Sequence, residues 1–401
     1  MTAHSVLKAT NSRRSQSAER DETINAPMTE PRSIRRALDS SRIRPVHYLN
    51  VFAPIALVLK LADASQTLVF VTSALAVIPA AALMGEATEQ LQSRSGAGIA
   101  GLLNVTFGNA PELIIALIAL SKGLQEVVKA SLVGSVIGNL LLVLGASMVA
   151  GGWHRMRQRF DRTAAQTQSG LLLVTVIALI LPAVAVLSQG QSLPAVGETS
   201  HAFSGHIEHL SVAVSVVMIA VYIAGLIFSL KTHRDLFVPG HDDAPDKPPW
   251  SVRQSVLALA AAGVLVGVMS ELLVGSIEHA SDAIGLSQFF VGAFVVAIVG
   301  NASEHWVAIS VAVKDKMDLA VNIAIGSSAQ IGLFVAPVLV ILSFVIGPGP
   351  MALVFNGYEL AALILSALIA ATLIADGEST WFEGMQLLGV YALLGLIFYY
   401  A

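Results

Sequence analysis

Long apolar segments follow one another along most of this chain, and they limit the folds that are open to it. An α-helix needs about 20 apolar residues to cross the hydrocarbon core of a bilayer. Only helices and closed barrels span a bilayer, because each backbone polar group there must be satisfied within the protein. Of the 401 residues, 55% are hydrophobic and 12% are charged, and that charged share is about half the share in a soluble domain. The sequence therefore predicts an all-α integral membrane protein.

We count eleven such segments and expect each to be a transmembrane helix. They cover residues 48–62, 67–90, 97–120, 125–150, 168–188, 207–230, 252–277, 288–312, 319–346, 353–375 and 380–400. Residues 1–47 are polar and rich in arginine, and we expect a disordered cytosolic tail followed by an N-terminal helix at 48–63. A proline-rich cytosolic linker, residues 231–251, is expected to join a first repeat at 67–230 to a second repeat at 252–400.

The positions of lysine and arginine predict the orientation in the membrane. With eleven spans and a cytosolic tail, all of the 23 basic residues except Lys60, Lys122 and Lys129 fall in cytosolic segments. Such a bias sets the orientation of a membrane protein, so we expect the N-terminus in the cytosol. Spans rich in alanine and glycine, joined by short loops, favour a bacterial plasma membrane. A vacuolar membrane is the alternative in a eukaryotic cell.

One five-residue phrase occurs twice, each time within an apolar segment. Residues 108–112 read GNAPE and residues 300–304 read GNASE, and a shift of 192 positions aligns both these phrases and residues 134–135 with 326–327. Each copy lies in a group of five predicted spans, and an odd number of spans inserts the two groups with opposite orientations. Inverted repeats around a site near the midplane are a recurrent plan of secondary transporters. We therefore predict two inverted five-helix repeats plus the N-terminal helix.

Carboxylates within membrane spans are costly and usually functional, which makes Glu112 and Glu304 the first candidates for a site. Because helix positions three apart share a face, we expect Asn109 and Asn301 to point in the same directions as these glutamates. The other predicted ligands lie on the next span of each repeat and carry hydroxyl or amide groups: Ser135, Asn139, Ser327 and Gln330. Oxygen ligands without sulfur suit Ca²⁺ or a similar hard cation. Mn²⁺ is an alternative, and the neighbouring His305 leaves softer divalent cations open.

The charges of the two glutamates suggest a coupling mechanism. Two ionised carboxylates in a medium of low dielectric repel each other and are poorly solvated. One divalent cation neutralises the pair, and so do two protons. If only neutral, occupied states switch access between the two sides, metal moves one way and protons move the other. We therefore expect Glu112 and Glu304 to carry both kinds of ion.

The phrases GNAPE and GNASEHW resemble the two signature repeats of the cation/proton exchanger (CAX) family, within the calcium/cation antiporter superfamily. The resemblance covers about residues 48–400 and includes further motifs in order: residues 85–89, 134–145, 270–278 and 326–331. Several motifs in order are more specific than one. The resemblance implies eleven spans, exchange of Ca²⁺ for H⁺, and Glu112 and Glu304 as shared carriers of metal and protons. It also implies that Glu89 and His305 support proton movement.

Several of these polar residues have a structural alternative. Glu89 and Glu278 lie near the ends of predicted spans, where an acid either snorkels to the interface or takes part in proton coupling. Glu271 lies deeper, and we expect it to take part in proton coupling. Glu359 and Glu383 are interpreted as interface residues. The serines and amides of the predicted site have helix packing and interhelical hydrogen bonds as their alternative.

The predicted function is secondary active antiport, in which Ca²⁺ or another divalent cation is exchanged for H⁺. A Na⁺-driven calcium exchanger is the near alternative, and a cation channel is the distant one. The sequence contains neither an HExxH motif nor a P-loop, so we do not expect an enzyme. It has no cysteine, which excludes disulfides and thiolate metal sites. Beyond the transported ions and the bilayer we expect no cofactor and no nucleic acid, and a homo-oligomer is left open.

Overall fold

The computed structural model describes residues 45–95, 103, 106–198, 203–232 and 250–401. A 3₁₀ turn, Pro45–Val51, precedes the first helix. Helices α1 to α6 comprise Phe52–Leu61, Gln66–Gln92, Ala110–Ser121, Gln125–Gly152, Arg162–Ser188 and Gly205–Ile227. Helices α7 to α12 comprise Val252–Ile284, Gln288–Gly300, Ala302–Val313, Met317–Leu342, Gly357–Leu373 and Trp381–Tyr400. Strands β1, Gln158–Arg159, and β2, Glu378–Ser379, form a short antiparallel ladder.

Seven of the described helices are long and apolar enough to cross a membrane, and these are α2, α4, α5, α6, α7, α10 and α12. Helices α8 and α9 together make an eighth span that is bent by 59°. Shorter apolar helices at Tyr48–Leu61, α3 and α11 occupy the positions of the remaining predicted spans. The all-α architecture is therefore confirmed, and the count of eleven spans stays a prediction.

Local capping explains why two helices extend beyond the predicted spans. Helix α5 begins six residues earlier than predicted, because the side chain of Asp161 accepts a hydrogen bond from the backbone N–H of Ala164. Helix α7 continues to Ile284 and ends at Gly285, whose φ of 71° is left-handed. Such a glycine commonly terminates a helix. The added turns are polar, so hydropathy alone misses them.

Two matched turns show that the repeats are inverted. The shift of 192 residues aligns the starts of α3 and α4 with the starts of α9 and α10. Helix α4 runs from the α3–α4 turn, residues 122–124, to a loop at residues 153–161. That loop contacts the α9–α10 turn, residues 314–316, where Arg155 pairs with Asp315 at 3.3 Å. The matched turns therefore lie at opposite ends of α4, about 42 Å apart, and the predicted inversion is confirmed.

We call the side that carries the loop at 153–161 the basic face, after its arginines, and the other side the opposite face. At the basic face, β1 pairs with β2 in the register Gln158 to Ser379 and Arg159 to Glu378. Glu378 also pairs with Arg157 at 2.7 Å and with Arg159 at 3.2 Å. These contacts join the end of the second repeat to the middle of the first.

Glycine allows the most buried helix, α4, to contact two others at backbone distance. A Cβ added to Gly134 would lie 1.9 Å from the carbonyl oxygen of Ala293 on α8. A Cβ added to Gly384 on α12 would lie 2.6 Å from the carbonyl oxygen of Gly145. Small residues at helix contacts are typical of membrane proteins. Helices α2 and α7, the long pair, pack against each other along their length.

Some predicted segments fall outside the described residues. These are most of the tail at 1–47, most of the linker at 231–251, and the first part of the span predicted at 97–120. The boundaries of the tail, the linker and the two repeats stay predictions.

Candidate functional site

Each repeated phrase interrupts the helical structure at its asparagine. Helix α3 begins directly after Asn109, which has φ −102° and ψ 23°. Helix α9 begins directly after Asn301, which has φ −90° and ψ 5° and also ends α8. Each asparagine is therefore the N-cap of a new helix, and its glutamate is the third residue of that helix. That the asparagine and the glutamate point the same way stays a prediction.

The two breaks place two helix starts at the centre of the molecule. Pro111 stands in the first turn of α3, whereas Ser303 stands at the matched position of α9, so the break does not depend on proline. Glu112 and Glu304 both lie in the first turn of their helices. The positive end of a helix dipole favours an ionised carboxylate there. Discontinuous helices of this kind form ion sites in many transporters.

Hydrogen bonds connect the asparagine of each break to the opposite repeat. Asn109 Nδ2 donates to Gln330 Oε1 at 2.7 Å. Asn301 Nδ2 donates to Ser135 Oγ at 2.8 Å, and Asn139 Nδ2 donates to Asn301 Oδ1 at 3.4 Å. Each repeat thus supplies a broken helix that is held by the continuous helix, α4 or α10, of the other repeat.

The two glutamates meet between these helices. The side chain of Glu112 packs on Gly300, where an added Cβ would lie 3.3 Å from Glu112 Cγ and 3.7 Å from Oε1. The carboxylates of Glu112 and Glu304 are close enough for electrostatic repulsion. The side chain of Ser327 lies beside the carboxylate of Glu304. A small cavity is lined by Glu112, Ser135 and Gly300 among others.

Four buried side-chain oxygens of this cluster have no hydrogen-bond partner within the described part of the chain. They are Asn109 Oδ1, Glu112 Oε2, Asn139 Oδ1 and Glu304 Oε2. Buried polar atoms normally have partners, and each one left without costs about 1–3 kcal/mol. Carboxylate and amide oxygens of this kind fit a hard cation. Among the described residues, no three or more His, Cys, Asp or Glu residues form a metal-binding group, so amides would complement the two carboxylates.

The predicted proton-coupling residues divide into two groups. His305 follows Glu304 in α9, and its Nε2 is buried without a hydrogen-bond partner among the described residues. Glu89 and Glu278 are exposed near the ends of α2 and α7. Glu271, also on α7, has 58% of its side chain exposed and pairs with Lys122 at 2.6 Å. The structure therefore brings the eight predicted ligands together. His305 is the next residue after Glu304, and the three glutamates lie on exposed positions of the two long helices.

The interpretation of Glu359 as an interface residue is wrong, because only 2% of it is exposed. Its Oε2 accepts a hydrogen bond from the backbone N–H of Asn356 at 2.8 Å and completes a capping box at the start of α11. The acid three residues after an asparagine could have signalled this cap. Glu359 also lines a small cavity together with Glu126 and Lys129. Sequence reasoning missed this polar cavity at the opposite face.

Comparison with known proteins agrees with this architecture. The family described as sodium/calcium exchanger protein matches residues 65–231 and 254–400. The Ca(2+)/H(+) antiporter of Synechocystis sp. is 43% identical over 369 residues, which cover 88% of this chain and 96% of that relative. The Ca(2+)/H(+) antiporter ChaA of Bacillus subtilis is 41% identical over 350 residues, which cover 86% of this chain and 96% of that relative.

A solved structure extends the similarity to three dimensions. The structure of native YfkE superposes with a TM-score of 0.76 at 37% identity, covering 89% of this chain and 100% of that chain. The family match accounts for well over half of the sequence, and it includes both broken helices and both continuous helices of the candidate site. The chain belongs to the sodium/calcium exchanger family and is a multi-pass membrane protein.

Proposed function

We propose that this protein is a secondary antiporter that exchanges Ca²⁺ for H⁺ across a membrane. The observation that carries the proposal is the pairing of Glu112 and Glu304 at the starts of two inverted half-helices, among amide and hydroxyl oxygens of both repeats. The two relatives named above support the choice of ions, since both are called Ca²⁺/H⁺ antiporters and align with this chain over most of their length.

The coupling follows from the charge of the site. With both carboxylates ionised and no cation bound, two negative charges share a buried region, and leaving a buried charge uncompensated costs about 3–5 kcal/mol. A bound Ca²⁺ removes this cost, and so do two protons. The empty and charged form is therefore the one least able to change access. Exchange results, because each change of access carries either the metal or the protons.

The surrounding residues would position and complete the ion. Asn109, Asn139 and Asn301 would supply or hold amide oxygens, and the other predicted ligands, Ser135, Ser327 and Gln330, would hold the half-helices in place. His305 would exchange protons with Glu304 beside it. Glu89, Glu271 and Glu278 would pass protons along α2 and α7. The packing of α2 on α8 and α9, and of α7 on α3, supports a role of these long helices in access to the site.

The orientation is part of the proposal. The basic face carries Arg155, Arg157 and Arg159 on the loop after α4, and Lys314 and Lys316 on the α9–α10 turn. Cytosolic loops are enriched in these residue types. We place the basic face and the N-terminus in the cytosol, and the protein in a bacterial plasma membrane.

Purified protein in liposomes tests the function. A pH gradient imposed without Na⁺ should drive uptake of ⁴⁵Ca²⁺, and a protonophore should abolish the uptake. Competition by Mn²⁺, Mg²⁺ and Na⁺ would rank the cations. Uptake that requires Na⁺ would instead support the sodium-driven alternative, and uptake that ignores the pH gradient would support a channel.

A further inference from the structure

Three polar residues and one glycine follow one side of α10 from the basic face to the candidate site. Asp318, Asn322, Gly326 and Gln330 follow one another at steps of four residues, so they share one side of the helix. Asp318 lies in the first turn, where its Oδ1 accepts a hydrogen bond from the backbone N–H of Asp161 at 2.5 Å. Gln330 is already bonded into the site. The line covers about 18 Å of helix.

Helix α5 adds Gln168 to the middle of this line. Its Nε2 donates to Asn322 Oδ1 at 2.5 Å. Its Oε1 is buried and has no hydrogen-bond partner within the described part of the chain. A Cβ added to Gly326 would lie 3.5 Å from this oxygen. The amide oxygen of Gln168 therefore lies beside Gly326, where α10 has no side chain, one turn before Gln330.

The positions that the repeat relates to this pair carry no amides. The shift of 192 residues aligns Asn322 with Ala130, and it aligns Gln168 with Leu360. If α5 and α11 are instead aligned from their first residues, Gln168 matches Leu363. Both Ala130 and Leu363 are fully buried. The amide pair therefore belongs to the basic face alone and is not a consequence of the repeat.

We propose that Gln168 and Asn322 form an intermediate binding step for cations that pass between the basic face and the site. This inference rests on the proposed function, because it assigns these residues to the same transported cation. A partly hydrated hard cation is stabilised by amide oxygens, and Gln168 Oε1 is an acceptor that no donor occupies among the described residues. The step makes cation binding from the basic face different from cation binding at the opposite face.

The decisive variant converts each amide to the residue at its matched position, Gln168→Leu with Asn322→Ala. Because the chain has no cysteine, an Arg157→Cys change in every protein provides a single thiol on the basic face. Biotinylation of this thiol from outside allows capture of the liposomes whose basic face points outward. The apparent KM for Ca²⁺ is then measured separately at each face.

We expect the double variant to raise the apparent KM at the basic face about fivefold, the size of one lost polar interaction, and to leave the KM at the opposite face within about twofold of the parent value. Gln166→Leu is the matched control, since this glutamine is exposed on the same stretch of α5 and should change neither KM. If the double variant does not fold, Gln168→Met removes the amide oxygen at nearly constant size and should change the same KM.

Two failures can be told apart. A parent protein without proton-driven Ca²⁺ uptake refutes the proposed function and this inference with it. A parent protein that exchanges normally, with a variant whose KM at the basic face is unchanged or whose KM shifts equally at both faces, refutes this inference alone.

Discussion

The two repeats agree at the centre of the molecule and differ at its two faces. At the centre, each contributes one glutamate, one asparagine at a helix break, and a continuous helix that bonds to the asparagine of the other repeat. At the faces, a loop of one repeat covers the turn between two core helices of the other repeat. Residues 153–161 cover the turn at 314–316, and residues 347–356 cover the turn at 122–124. We call these two loops the covers of the basic face and of the opposite face.

The cover at the opposite face is a buried part of the core. Residues 351–355 are each at most 3% exposed although they are not helical. Side chains from other helices satisfy their backbone: Leu353 N–H donates to Ser211 Oγ at 3.1 Å, and Val354 O accepts from Lys129 Nζ at 3.0 Å. Non-helical backbone at membrane depth is tolerated only when it is buried or lines a cavity. This cover can therefore move only if these bonds and the apolar packing are lost together.

At the basic face, charged side chains hold the cover in addition to the β1–β2 ladder. Arg155 donates to the backbone carbonyls of Gly151 and Val313 and pairs with Asp315, whose side chain is 64% exposed. Exposed ion pairs contribute about 0–1 kcal/mol each. The two inverted repeats thus share the chemistry of the ion site, while the loops at their two faces are held by different kinds of contact.

The largest expected effect comes from neutralising either of the two glutamates that the repeats contribute to the centre. We expect Glu112→Gln and Glu304→Gln each to reduce proton-driven ⁴⁵Ca²⁺ uptake at least about 100-fold, since unbalancing a buried charged site costs about 3–5 kcal/mol. Uptake by liposomes that contain equal amounts of folded protein is the measurement. If one of the two variants retained exchange, the two halves of the centre would not be equivalent.

The next largest expected effect is a difference in stability between alanine substitutions at two matched glycines, Gly134 and Gly326. Gly134→Ala would drive a Cβ to 1.9 Å from the carbonyl oxygen of Ala293, whereas the same change at Gly326 meets its nearest neighbour at 3.5 Å. We expect Gly134→Ala to lower stability by about 3 kcal/mol, the upper end of overpacking costs, and Gly326→Ala to change it little. Thermal unfolding of the purified proteins in detergent is the measurement. Equal losses would mean that α4 does not contact α8 as closely as described.

The two break asparagines should also differ. Asn301 is fully buried and its side chain bonds to Ser135, Asn139 and the carbonyl of Ala297. Asn109 bonds only to Gln330 among the described residues. We therefore expect Asn301→Ala to cost about 2 kcal/mol and Asn109→Ala about 1 kcal/mol.

Thermal unfolding together with Ca²⁺ titration separates the two roles of these asparagines. A larger loss of stability at Asn301 together with comparable losses of Ca²⁺ affinity fits the geometry. A larger loss of stability at Asn109 contradicts it.

The repeat arithmetic explains why so much of the site could be predicted from the sequence. A shift of 192 residues identifies both glutamates, both asparagines and the helix that follows each of them, and inversion then places them at one centre. The helix breaks could not be predicted in the same way. The second phrase contains no proline, and its apolar surroundings are those of an uninterrupted span.

The residues that sequence reasoning missed are polar groups near span ends. Glu359 begins α11 and resembles an interface residue until Asn356 is seen to make it a cap. Gln168 lies at the start of the span that hydropathy predicts, but it is the seventh residue of α5. Tertiary packing decides whether such a group points to lipid, to water or to another helix. Near the end of a span, no periodic pattern in a single sequence indicates which of these it is.

The smallest expected effect sharpens the comparison of the two covers. Glu378→Gln removes the ion pairs with Arg157 and Arg159 at the basic face, where the two arginine side chains are 65% and 82% exposed. We expect a loss of at most about 1 kcal/mol, because water already solvates these charges, and a smaller loss in 1 M salt, where the Debye length falls to about 3 Å. Thermal unfolding at low and high salt measures both values. Ser211→Ala at the opposite face is the matched control: it leaves the Leu353 N–H without its acceptor, and its cost should not decrease with salt because no charge is removed. If the two variants responded to salt alike, the two covers would not differ in the way that their contacts indicate.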